Sequence, residues 1–371
     1  MSVEAKSVVL AAGGTGGHLF PALALAQELG RRAIAVDLVT DRRAGRYAAD
    51  FPARAIYRLP SATFRGRSVL AAAGTGLTLL RGVAGAMHLW RRLKPGAVIG
   101  FGGYPSFAPL LAARLSRRPT LLHEQNAVLG RANRVLARHV TAVATSFQDT
   151  KYLERCHRTK VRHVGNPVRD RVLKCAEAGY RPPDGGRFCL VVFGGSQGAR
   201  YFSETLPAAL ALLSAEARRR LLLVQQCREE DLAGVEAAYR GQGVAASLAP
   251  FFPNLPELMA GAHLVIGRAG ASTVAELAVL GRPAILVPLP HAIDNDQRLN
   301  AMRLAESGAA WCIEQKHLTA EALASRIDHL MRAPEELSLA AAAAKRQGRP
   351  DAVLRLADLV EELIGNRSDG G

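Results

Sequence analysis

The sequence predicts an α/β protein made of two Rossmann-like, doubly wound parallel-sheet domains facing across a cleft. Three observations carry this expectation. Short apolar runs alternate with helical patterns and are joined by Gly/Pro turns, the arrangement that parallel strands with crossover helices require. An opening of strand, glycine turn and helix occurs twice, at Ser7–Pro21 (SVVLAAGGTGGHLFP) and at Arg187–Arg200 (RFCLVVFGGSQGAR). And 371 residues exceed what one ordinary domain holds, so two is the natural count.

In chain order, Val8–Ala12 reads as a buried strand, Gly13–Gly17 as a tight loop, and Pro21 as a first-turn residue of the helix that follows. Glycines let a backbone approach a ligand, and a helix start offers free N–H groups and a positive dipole end, so the natural guest is an anion. The plain alternative is a strand-to-helix turn with no ligand. Strands are expected at 35–40 and 54–59, a long helix over Ser68–Leu93, and a strand at 97–103 ending in a second glycine turn, followed by Tyr104-Pro105-Ser106 and a helix. Further strands follow at 119–126, 141–146 and 160–164. Residues 166–186, ending in RPPDGG, read as a linker; the pattern then starts again, with strands near 187–193, 221–227, 244–252, 263–270, 283–290 and 309–314. The division expected is 1–166 for the first domain and 167–347 for the second, with a final helix at about 348–366 completing the first.

The balance of 48 Lys plus Arg against 32 Asp plus Glu, formally +16, favours anionic partners without choosing among them. Five cysteines, an odd number with no CxxC pair, argue against a disulfide framework or a zinc site and suit a reducing compartment. The N-terminus reads as a first strand and not a signal peptide. Ser68–Trp90 is long and largely apolar, but Arg81 near its middle argues against a membrane span. Leu79, Leu80, Val83, Met87 and Trp90 recur at helical spacing beside Arg91, Arg92 and Lys94, which suits a peripheral docking face or, equally, a core-facing helix.

The common glycine-loop readings fail. A dinucleotide fingerprint needs a third glycine at position 19, where Leu19 stands, and no GxxxxGK[ST] exists. Asp294-Asn295-Asp296 spells a DxD metal spacing, but it precedes a helical pattern, so Asp294 reads more simply as a cap and Asp296 as a first-turn charge. Gly267–Leu277 (GRAGASTVAEL) follows a strand and places Ser272 and Thr273 at a helix start, with Glu276 one turn on, where a carboxylate can accept both hydroxyls of a ribose. The alternative there is a capping arrangement of Ser272 and Glu276.

Taken together, GGTGGH with Pro21, GFGGYPS (100–106), HEQN (123–126), GNPVR (165–169), GGSQGAR (194–200) and GRAGASTVAEL resemble, in order, the motifs of the MurG family of bacterial peptidoglycan synthesis. These are UDP-N-acetylglucosamine-dependent N-acetylglucosaminyltransferases of the glycosyltransferase-B fold. The resemblance implies inverting transfer of GlcNAc from UDP-GlcNAc to the MurNAc C4 hydroxyl of an undecaprenyl-diphosphate-linked acceptor, lipid I, giving lipid II. It implies a donor-binding second domain, an acceptor-binding first domain, no metal or other cofactor, and no nucleic-acid partner. It also implies a peripheral position on the anionic cytoplasmic face of the inner membrane. Carried over by position, Thr15, Gly16 and Gly17 would face the donor diphosphate and sugar, Asn126 the sugar, and Arg169 and Ser196 the phosphates or nucleotide. Phe252 with Ala271, Ser272, Thr273, Val274, Ala275 and Glu276 would hold uracil and ribose, and Gln297 or Asp296 the GlcNAc hydroxyls. His18 is the candidate base, or else a polar group serving the acceptor diphosphate or a structural cap on its loop; Glu124 is the runner-up for base, with a structural hydrogen-bonding role as its alternative. The chain departs from the family pattern at Phe107 and Ala269, where glycine and serine are usual. A UDP-GlcNAc 2-epimerase, a glycolipid transferase of the same fold, or a non-catalytic nucleotide-sugar sensor are the competing readings.

Overall fold

The computed structural model describes residues 6–13, 16–41, 51–61, 69–153 and 159–365. It divides into two compact units, one running to Arg169 and resumed from Pro350, the other Asp170–Arg349. The changeover thus lies three residues beyond the position expected from sequence, and Arg169 belongs to the first unit.

The first unit is a seven-stranded sheet in the order β3-β2-β1-β4-β5-β6-β7, each neighbouring pair parallel. Its strands are β1 (Ser7–Ala11), β2 (Ala35–Thr40), β3 (Ala55–Arg58), β4 (Ala97–Gly100), β5 (Thr120–Glu124), β6 (Ala142–Thr145) and β7 (Val161–His163). Between them run α1 (Gly16–Arg31), α2 (Val69–Leu93), α3 (Tyr104–Leu115) and α4 (Arg131–Leu136). One sheet face carries α1 and the last helix, α14 (Ala352–Gly365), around Val8, Leu10, Leu25, Ile99, Leu356 and Val360. The other carries α2 and α3 around Val9, Val98, Leu110, Trp90 and Leu122. Arg32 clasps α14 to α1, with its guanidinium on Glu28, Asp358 and Glu361 at 2.6–2.8 Å.

The second unit repeats the scheme with six parallel strands, β10-β9-β8-β11-β12-β13. These are β8 (Phe188–Phe193), β9 (Leu221–Gln226), β10 (Ala245–Ala249), β11 (Leu264–Gly267), β12 (Ala284–Leu286) and β13 (Ala310–Cys312). Its helices are α5 (Asp170–Cys175), α6 (Gly195–Ala211), α7 (Ala215–Arg220), α8 (Leu232–Gln242), α9 (Leu255–Gly261), α10 (Ala271–Leu280), α11 (Asp296–Glu306), α12 (Ala320–Met331) and α13 (Pro334–Gln347).

Several expectations are corrected. Gly16 and Gly17 open α1 instead of closing a loop, and Pro21 is its sixth residue and not in its first turn. Glycine lowers helix preference by about 1 kcal/mol, but burial of Leu19, Ala22, Leu25 and Leu29 outweighs it. By the same logic α6 begins inside the GGSQGAR turn, α3 begins at Tyr104, and α5 lies within the stretch read as a linker. The apolar stripe of α2 is mostly core: Trp90 is 1% exposed, and Val83 and Met87 pack on the cluster beneath. Among the described side chains of that helix, Leu77 and Leu80, beside Arg81, remain on the outside as exposed large hydrophobics. Phe107 is likewise a helical residue packed on the core. No helix among the described residues is long and apolar enough to cross a membrane.

Candidate active site

In an open doubly wound sheet the strand order reverses at one point, and ligands bind beyond the C-terminal ends of the strands flanking it. In the first unit that point lies between β1 and β4, where Gly13 and the Gly102-Gly103 turn sit; in the second it lies between β8 and β11, where Gly194 and Arg268–Gly270 sit. Four of the five glycine-bearing motifs of the sequence fall at these two places; GNPVR follows the edge strand β7.

In the first unit, Ser106 joins the two glycine turns, its buried hydroxyl donating to the Ala11 carbonyl at 2.7 Å and the Gly102 carbonyl at 2.8 Å. Gly102 and Gly103 have φ of 82° and 72°, a region costly for any side chain. Both also lie against the His18 ring: a Cβ on Gly103 would stand 3.3 Å from His18 Nε2, and one on Gly102 3.5 Å from Cε1. Gly13 closes the cradle, with a Cβ there 3.3 Å from His18 Cδ2. His18 is partly exposed, and its Nδ1 faces Gln125 Oε1 at 3.1 Å. Gln125 Nε2 in turn reaches His123 Nδ1 at 2.9 Å, and His123 Nε2 reaches the Gly165 carbonyl at 3.0 Å. Burial pushes the His123 imidazole down to about 4, with the nearby His18 adding to the shift and the Gly165 hydrogen bond opposing it.

Glu124 is 1% exposed and accepts four hydrogen bonds. Oε1 takes the Asn126 backbone N–H at 3.0 Å and its side-chain amide at 3.2 Å; Oε2 takes Gly130 N–H at 2.9 Å and Asn133 Nδ2 at 2.7 Å. The carboxylate therefore shapes the loop that presents Asn126. Arg169 stacks its guanidinium 4.1 Å from the centre of the Phe20 ring on α1. Thr15 lies outside the described residues, as does the side chain of Ser196, whose backbone is in the first turn of α6.

In the second unit, Gly270 is the cap residue of α10, so Ser272 stands at the helix's second position and not at its cap. Its first turn thus carries Ala271, Ser272 and Thr273, with Val274 (4% exposed), Ala275 and the buried Glu276 (5% exposed) behind them. Asn300 Nδ2 holds the Ala269 carbonyl at 3.2 Å. The loop from β12 to α11 is pinned twice. Arg268, buried against Tyr201 and Phe202, donates to the Val287 and Pro288 carbonyls at 3.2 Å, and Gln297 Oε1 accepts Leu289 N–H at 3.0 Å. His291, Asp294 and Asn295 in that loop all have φ of 55–60°, and such left-handed non-glycine residues cluster at ligand-holding segments. Asn295, not Asp294, occupies the cap position of α11, and Asp296 is its first residue. Among the described residues no group of three or more His, Cys, Asp or Glu is placed to hold a metal ion. Phe252 follows β10, partly exposed.

Sequence reasoning passed over Gln125, Asn133 and Arg268 as site builders. Gln125 stood inside the HEQN motif without a role, and Asn133, in a short helix that also carries Arg131 and Arg134, gave no signal of its own. Arg268 gave none, because a buried arginine is indistinguishable in sequence from a surface one.

Residues 8–145 match the glycosyltransferase family 28 N-terminal domain and residues 189–356 its C-terminal domain. The chain is 54% identical over 365 residues, 98% of each chain, to a UDP-N-acetylglucosamine–N-acetylmuramyl-(pentapeptide) pyrophosphoryl-undecaprenol N-acetylglucosamine transferase of Methylobacterium sp. (strain 4-46). It is 51% identical to the protein of that description in Chelativorans sp. (strain BNC1), over 98% of this chain and 96% of that one. A crystal structure of Acinetobacter baumannii MurG superposes with a TM-score of 0.77 at 31% identity, covering 96% of this chain and 99% of that one. A UDP-GlcNAc 2-epimerase from Neisseria meningitidis shares the fold alone, with a TM-score of 0.66 at 16% identity over 96% of this chain and 100% of that one. With both domain models matched in order and full-length relatives above half identity, the chain belongs to glycosyltransferase family 28 and, within it, to the MurG family.

Proposed function

We propose that the protein transfers GlcNAc from UDP-GlcNAc to the MurNAc C4 hydroxyl of undecaprenyl-diphosphate-MurNAc-pentapeptide, converting lipid I to lipid II with inversion at the sugar C1. The observation that carries this is the 54% identity over 98% of both chains to a transferase described by that donor and that acceptor.

A direct displacement needs a base for the attacking hydroxyl and stabilisation of the charge that develops on departing UDP. His18 is assigned the base: its Nδ1 is engaged by Gln125, and no described residue hydrogen-bonds its Nε2. Glu124 is assigned to positioning Asn126, because four donors already occupy both oxygens. In the second unit the first turns of α6 and α10, whose cap residues are Gly194 and Gly270, supply N–H groups and dipole ends suited to a diphosphate. Glu276 is assigned to the ribose hydroxyls, Phe252 and Ala271–Glu276 to the nucleoside, and Gln297 or Asp296 to the GlcNAc hydroxyls. Thr15, Gly16, Gly17, Ser196 and Arg169 are assigned to the phosphates and sugar. This charge stabilisation needs no metal, so chelation should leave turnover intact.

The net +16 suits an anionic donor, an anionic lipid-linked acceptor and an acidic inner leaflet, on whose cytoplasmic face the protein would sit peripherally. On α2, exposed Leu77 and Leu80 beside Arg81 are available for such docking.

The test is purified protein with labelled UDP-GlcNAc and a short-chain lipid I analogue. Label passing to the analogue supports the assignment. Release of free UDP-ManNAc, or donor binding without turnover, overturns it in favour of an epimerase or a sensor.

A further inference from the structure

We propose that Gln125 is a positioning residue that holds the His18 imidazole in its Nδ1–H form, so that Nε2 carries the free lone pair, ready for a proton. His123 and the Gly165 carbonyl set the sense of the Gln125 amide. The inference rests on His18 as the base, and it follows from the direction of four hydrogen bonds.

A backbone carbonyl only accepts. The Gln125 amide atom 3.0 Å from the His123 carbonyl must therefore be the NH2 group, which places Oε1 toward His18. The Gly165 carbonyl likewise obliges His123 Nε2 to carry a proton at 3.0 Å. His123 is fully buried and kept neutral, so its Nδ1 is an acceptor, which matches the second Gln125 Nε2 contact at 2.9 Å. Gln125 Oε1 has no proton to give, so His18 Nδ1 must donate across the 3.1 Å between them. The chain then has one consistent sense: Gly165 carbonyl, His123, Gln125, His18.

Two consequences follow for a base. The neutral ring is prevented from moving its proton to Nε2, where it would block the reacting site. Uptake of a proton at Nε2 leaves the Nδ1–H donation to Gln125 undisturbed, so the imidazolium forms without any rearrangement. Gln125 itself is 1% exposed, and turning its amide over would set oxygen against the His123 carbonyl and NH2 against His18 Nδ1–H.

The decisive measurement is a long-range 1H–15N correlation spectrum of the full-length protein with 15N-histidine, at a pH where His18 is neutral, with the His18 signals identified by their loss in His18→Gln. The expected result is a protonated Nδ1 and an unprotonated Nε2. A protonated Nε2 in the wild-type protein overturns the proposal without any variant of Gln125. In Gln125→Met, with folding checked by its circular dichroism, His18 should move to a tautomer mixture and kcat should fall about 10–100-fold, with KM for UDP-GlcNAc within about twofold. An unchanged tautomer in that variant also overturns it. If the tautomer shifts but His18→Ala keeps wild-type kcat, the positioning role stands and His18 is not the base.

Discussion

Glu124→Gln separates a scaffold from a base, because the two roles predict opposite outcomes. Glutamine keeps one carbonyl oxygen and turns the other into NH2. The glutamate accepts two donors on each oxygen, the Asn126 pair on one side and Gly130 N–H with Asn133 Nδ2 on the other. Whichever way the new amide sits, one pair of donors meets an NH2. Asn126 or Asn133 can turn over its own side chain in response; a backbone N–H cannot. One buried backbone donor is thus left facing another donor, at about 1–3 kcal/mol. Losing the charge on the remaining bonds adds about 1 kcal/mol. A total of about 2–4 kcal/mol should lower the melting temperature by about 5–15 °C for a unit of this size. Calorimetry gives that shift, and steady-state kinetics well below the transition give kcat. The expectation is a clear loss of stability with kcat within about tenfold of wild type. A melting temperature unchanged alongside a kcat loss of about 100-fold or more would refute the scaffold assignment and make Glu124 the base.

Other consequences are checked more simply. His123 is held near 4 in the folded protein against 6.5 for the ordinary imidazole, so the unfolded chain binds the extra proton between those values. Its contribution, about 3 kcal/mol, is complete above about pH 6.5, declines as the pH falls toward 4 and levels below that; the difference in unfolding free energy between pH 7 and pH 4.5 should shrink in His123→Gln. Glu276→Ala should raise KM for UDP-GlcNAc about 10–100-fold, and an unmoved KM would end the ribose assignment. On α2, Gly85→Ala should stabilise by about 0.5–1 kcal/mol, since a Cβ there meets only Leu59 Cδ2 at 3.4 Å. Gly82→Ala, three residues earlier, should destabilise despite the same helix preference, because its Cβ would stand 2.6 Å from the Pro60 carbonyl oxygen. Thermal unfolding of the pair tests this, and two shifts in the same upward direction would count against the packing of α2 described above.

The strand pattern and both switch points were readable because a parallel strand is apolar on both faces and its turn is marked by glycine. Of the four strands at the switch points, β8 ended where its glycine motif placed it, β1 one residue earlier, and β4 and β11 three residues earlier, at Gly100 and Gly267. Helix starts were misjudged for the reason that made the strands easy. Glycine was read as loop, whereas at Gly16 and Gly195 it opens a helix whose stability comes from residues farther along. Local preference marks an element's interior better than the end that meets a ligand.

The site was legible as residue types and not as roles, and the HEQN motif shows why. His123 and Glu124 are consecutive residues, so strand alternation sends them to opposite sides of β5. One side carries His123 into the chain that ends on His18; the other carries Glu124 to Asn126, Gly130 and Asn133. Sequence alone offers two titratable groups side by side and no means of telling which serves a reacting atom. The deciding property is satisfaction. Glu124 has no oxygen left without a donor pair, while the His123 path terminates at a ring nitrogen that no described residue engages. Polar satisfaction stabilises a fold, and the proposal that His18 meets the substrate rests on its ring nitrogen being left open. That nitrogen is His18 Nε2, on a partly exposed ring cradled by the glycines of both turns at the switch point of the sheet.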